Sequence, residues 1–108
     1  MSSLPQLTPD QKKMVRAIHE AFGKEGGMDL DAAKELQRLT EGDTELPIKS
    51  LDDLNKEIGN GMKLEGGKMS LEDLEYTYRV MLAASPEQIK KDFEILLRSG
   101  RVSLVRQA

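Results

Sequence analysis

Cysteine is absent from the 108 residues, which excludes disulfides, thiolate metal sites and thiol nucleophiles. That absence fits a reducing compartment. No stretch of 18 apolar residues occurs, so no membrane span is expected. The opening residues MSSLPQLTPDQKK contain no apolar run of signal-peptide length, and a cytoplasmic location follows as the expectation. Histidine occurs once, as His19, flanked by Ile18 and Glu20 with no nucleophile in view. A phosphate-binding loop, a Gly-x-Gly-x-x-Gly turn and a His-Glu-x-x-His helix are all missing. The pairs Asp52-Asp53 and Glu72-Asp73 are explained by the dipole of the helices they open. No catalytic residue, metal ligand or cofactor site is therefore expected, and the chain does not read as an enzyme.

What is present is an ordinary globular balance, 38% apolar and 32% charged. A chain of this length suits one domain and buries roughly 65% of its unfolded surface, enough for a core. The formal charge is −3, opposite in sign to the usual nucleic-acid footprint.

Helical grammar runs through most of the chain. Thr8-Pro9-Asp10-Gln11 supplies a cap, a first-turn proline, an acid at the positive dipole end and a capping-box glutamine. Met14, Val15, Ile18, Ala21 and Phe22 continue it as one apolar stripe to Gly23, predicting a helix over 9–23. Ser85-Pro86-Glu87-Gln88 repeats that opening, with Ile89, Phe93, Leu96 and Leu97 as its stripe and Gly100 as its stop. Between them, helices are expected from Asp29 to Gly42, from Ser50 to Ile58, and from Ser70, with Asp73 placed for a capping box, to Ala84. The segment Arg101-Val102-Ser103-Leu104-Val105-Arg106 has no helical stripe and reads as an extended tail. A lone strand needs a neighbour, and the stretches around Met28 and Met69 are the internal candidates, with a partner chain as the alternative.

Two loops look alike. Glu25-Gly26-Gly27-Met28-Asp29-Leu30-Asp31 and Glu65-Gly66-Gly67-Lys68-Met69-Ser70-Leu71-Glu72 share an acid, a Gly-Gly pair, a methionine, a cap, a leucine and an acid, 40 positions apart. Together with the opening helix Leu7-Thr8-Pro9-Asp10-Gln11 to Phe22, this arrangement resembles an EF-hand pair over residues 7–82. The resemblance implies two helix–loop–helix units. A calcium loop of that family takes oxygen ligands at its first, third and fifth positions, glycine at the sixth and glutamate at the twelfth. With Gly67 at the sixth position, Met62, Leu64 and Gly66 fall where oxygen ligands belong, and Asp73 falls at the twelfth. The implied pair is degenerate and metal-silent.

Charge is uneven. Residues 41–77 carry ten acids and four lysines, a balance of −6, while residues 78–108 carry six bases and three acids, a balance of +3. The acidic middle and the basic end can complement each other within one domain. Alternatively, Lys90, Lys91, Arg98, Arg101 and Arg106 can face phosphates, the last helix and tail then resembling a winged helix.

Six methionines stand against four aromatics, and methionine is over-used at adaptable grooves. Tyr78 follows the Leu74 stripe inward, whereas Tyr76 is expected outward as a contact residue. The fold expected is all-α: about five short helices in two helix–loop–helix units plus a C-terminal helix, with 1–7 flexible and 101–108 extended. The function expected is a protein-interaction or regulatory module binding a helical or extended peptide through Met69, Tyr76, Met81, Arg98, Arg101, Val102 and Leu104. A small winged-helix nucleic-acid binder and a helical subunit of a larger assembly are the other readings, and the oligomeric state is left open.

Overall fold

The computed structural model describes residues 4–42 and 48–102. Five helices account for most of them: α1 (Pro9–Phe22), α2 (Leu30–Glu41), α3 (Leu51–Glu57), α4 (Leu71–Ala84) and α5 (Gln88–Ser99). The all-α expectation holds among the described residues.

The caps explain where four of the helices begin. Thr8 Oγ1 accepts the Gln11 amide at 3.1 Å while the Gln11 side chain accepts the Thr8 amide at 2.9 Å. Asp29, Ser50 and Ser70 each accept an amide three residues on, at 2.8, 3.0 and 3.1 Å. Each bond satisfies an amide that the first helical turn leaves unpaired.

α5 begins differently. Ser85 makes no side-chain cap, residues 86–87 form a turn, and the helix opens at Gln88, whose amide donates to the Ser85 carbonyl at 3.0 Å. The Gln88 side chain, expected to close a capping box, instead donates to Asp92 Oδ1 at 2.7 Å. A buried carboxylate one turn away is the stronger acceptor. At the other end the Gly100 amide reaches the Leu97 carbonyl at 3.2 Å and the Arg101 amide the Leu96 carbonyl at 3.0 Å, the double bond of a Schellman stop.

α1 packs on α4 and α5, and α2 on α5 and α1. Val15, Ile18 and Phe22 from α1 meet Leu74 and Tyr78 from α4 and Ile89 and Leu96 from α5 in one core. α3 touches the other helices only slightly. Of the N-terminal segment, residues 4–7 are described: Leu7 is buried, and the Arg79 guanidinium donates to the Pro5 carbonyl at 2.9 Å. Of the tail, Arg101 and Val102 are described, and Val102 is buried.

The two loops meet. Met28 and Met69 exchange backbone hydrogen bonds at 2.9 and 2.8 Å as an isolated antiparallel bridge. These stretches, expected as partners for the tail, pair with each other. Gly27 is essential to that approach. Its φ is 122°, and a Cβ there would lie 2.3 Å from the Met69 carbonyl oxygen. At Gly66 nothing lies within 4 Å of the added carbon.

Gly27→Ala is expected to cost about 2 kcal/mol or more, because backbone has to move. Gly66→Ala is expected to cost about 1 kcal/mol, the left-handed penalty alone. Urea denaturation followed by circular dichroism checks the difference.

Candidate functional site

The second loop is organised by Asp73, which stands in the first turn of α4 and is only 3% exposed. Its Oδ1 accepts the Lys63 amide at 2.9 Å, and its Oδ2 accepts the Leu64 and Ser70 amides at 3.1 and 3.2 Å. Leu64 sits in the left-handed region at φ 53°, a conformation costing about 1 kcal/mol that such bonds can hold. Asn55 grips the start of the same loop, accepting the Met62 amide at 2.9 Å and donating to the Met62 carbonyl at 3.1 Å. From the opposite side, His19 Nε2 donates to the Met69 carbonyl at 3.1 Å. His19 is thus a boundary residue with a definite structural partner.

Beside this loop pair lies a groove of about 720 Å³, within the range of roughly 300–1,000 Å³ typical of binding clefts. Its α2 wall carries Ala33, Leu36, Gln37, Thr40 and Glu41; Ile48, Lys49, Asp53, Leu54, Lys56 and Glu57 form the α3 side. Leu74, Thr77, Tyr78 and Met81 from α4 line it as well, with Met28 and Met69 at the bridge and Asp92 from α5. The groove exists because α3 stands off from the bundle. The apolar side chains Ile48, Leu54 and Met81 remain only partly buried.

Asp92 is the polar floor. It is 1% exposed and accepts Tyr78 Oη–H at 2.8 Å on Oδ2, with Gln88 on Oδ1. Burial pushes its carboxyl above the usual aspartate range, while the Tyr78 and Gln88 hydrogen bonds pull the other way. Burial likewise raises the Tyr78 phenol, with the Asp92 charge and hydrogen bond adding to it. Glu41 is raised first by partial burial and then by the charge of Asp92.

The residues expected to bind a partner disperse. Met69 and Met81 line the groove. Tyr76 is half-buried, against the expectation of an outward ring: its hydroxyl donates to the Ile58 carbonyl at 2.5 Å. The ring covers Gly61, where a Cβ would fall 2.2 Å from a ring carbon. With no side chains at Gly59 and Gly61, the Tyr76 ring and hydroxyl pack directly on the turn. Arg98 is exposed on the last turn of α5. Arg101 lies 4.4 Å over the Phe22 ring and donates to Glu35 at 3.2 Å, so its ion-pair partner lies outside the acidic 41–77 segment. Val102 is in the core, and Leu104 lies outside the described residues. The sequence reading missed Asp92 as a groove residue. Its signal was an acid on the Ile89–Phe93–Leu96 stripe, where an apolar residue is the norm.

No family model, curated protein or solved structure matches this chain.

Asp73→Ala is expected to destabilise by about 3 kcal/mol, since three amides lose a charged acceptor, measured as a shift in urea midpoint. For Asp92 the folded carboxyl holds its proton more tightly than the unfolded one. Its contribution is therefore greatest below the ordinary aspartate range, near about pH 4, and is lost as pH rises to the raised folded value. Asp92→Asn is expected to remove that slope, and to be at least as stable as the parent at pH 7. Urea melts at several pH values, compared between the two proteins, check this.

Proposed function

We propose that the chain is a non-catalytic protein-interaction module that seats the apolar face of a helical peptide between α2, α3 and α4. The groove itself carries this reading. Aliphatic and methionine side chains from α2, the α3 side, α4 and the loop bridge converge on it. Methionine adapts to irregular surfaces because it is unbranched and polarizable, and grooves of this composition take amphipathic helices through anchors one turn apart.

The order helix, loop, helix, taken twice with the loops joined at Met28 and Met69, supports the EF-hand-like reading of residues 7–82. The use of Asp73 supports metal-independent action. The carboxylate that would face a cation at the twelfth loop position is instead occupied by three backbone amides. Among the described residues no helix is long and apolar enough to cross a membrane, and the lack of cysteine fits a cytoplasmic site of action.

The test is amide chemical-shift mapping with helical amphipathic peptides. Saturable shifts at Leu54, Met69 and Met81, lost in Met81→Asp, are the expected result. Shifts confined to Lys90, Lys91 and Arg98, or none at all, would refute it. Calcium at about 1 mM is expected to leave Met62–Asp73 unmoved, whereas saturable shifts there would defeat metal independence.

A further inference from the structure

We infer that the groove selects a partner helix bearing a lysine or arginine beside its apolar stripe, and that Glu41 and Asp92 receive that cation. The inference rests on the groove reading above and adds its specificity.

Three sources of negative potential meet at one end of the groove. Glu41 is the last residue of α2 and is exposed at the rim, whereas Asp92 is buried at the floor. The last carbonyls of α2 add the negative end of its dipole within the same turn. Charge elsewhere along the groove is balanced, Asp53 and Glu57 standing against Lys49 and Lys56, so the unbalanced negative charge of the lining is that of Glu41 and Asp92. A neutral or acidic partner would bring an apolar face against this end and deepen the desolvation of two carboxylates with nothing to compensate them. A cationic side chain supplies the compensation. Its methylene stem covers apolar wall while its head reaches the acids.

Asp92 has acceptor capacity left for this. Each of its oxygens takes one hydrogen bond within the protein, from Gln88 and from Tyr78, and a carboxylate offers about four acceptor sites. Glu41 and Asp92 line the same groove although they come from α2 and α5, which pack together, and the Asp92 charge disfavours ionisation of Glu41. The opposite end of the groove, at the Met28–Met69 bridge, is lined by methionines. A partner helix is thereby oriented, with its cation toward the end of α2 and its apolar anchors toward the bridge.

The test uses the full chain and a display library of helical peptides. The library fixes apolar residues at i, i+4 and i+7 and randomises the flanking positions. Selection on the parent is expected to enrich lysine or arginine at one flanking position. Changing that residue to methionine in a selected peptide should weaken binding about tenfold, the effect of one partly buried charge pair. Glu41→Lys alters an exposed helix end, and its fold is checked by circular dichroism. It is expected to abolish the basic preference and to weaken the parent-selected peptide by a similar factor. Enriched peptides without a basic preference, or equal affinity for parent and Glu41→Lys, would overturn the charge reading while leaving the groove as a docking site. Failure to enrich any peptide would remove the docking site, and this inference with it.

Discussion

The Met69 carbonyl is the joint on which this structure depends. It accepts the Met28 amide and the His19 imidazole at 2.9 and 3.1 Å, while the Met69 amide returns a bond to Met28. One peptide group thus ties α1 and both loops together. Buried backbone polar groups need partners, so once the loops approach they settle in the register that pairs these two residues. Gly27 makes the approach possible by presenting no side chain to the oncoming carbonyl. With the loops fixed, α1 is pressed onto α4 and α5, while α2 and α3 are left facing each other across a gap.

Two buried acids divide the work on either side of that joint. Asp73 gathers three backbone amides, so its carboxylate lies among donors and closes the loop. Asp92 lies in apolar surroundings with two neutral donors. Neutral donors stabilise a carboxylate less than burial destabilises it, which is why its proton is held more firmly. The same functional group is structural in one place and reactive to its electrostatic surroundings in the other.

The groove follows from the shortness of α3. Seven residues make two turns, with Leu51 the one buried among them, too little apolar surface to dock a helix tightly against the bundle. Asn55 and Asp53 hold that helix locally, through the Met62 backbone and the Ser50 cap. What remains is a cleft in which Ile48, Leu54 and Met81 stay only partly covered, with Glu41 and Asp92 among its lining.

The sequence by itself determined the helices. Caps such as Thr8, Asp29, Ser50 and Ser70 act on amides three residues away, and stripes such as Val15, Ile18 and Phe22 repeat within a turn, so both are legible in a linear string. It also showed the two Gly-Gly loops to be alike in residue order. Only the tertiary structure decided what those loops touch, where Gln88 points, that Tyr76 lies over Gly61, and that Arg101 settles on Phe22 and Glu35. Met69 and Met81 were legible as inward-facing residues from apolar periodicity; Glu41 and Asp92 were not, because they stand 51 positions apart and come to line one groove only through packing of α2 on α5. Local hydrogen bonding is encoded within a few residues, whereas an electrostatic site is a sum over groups that the chain brings together last.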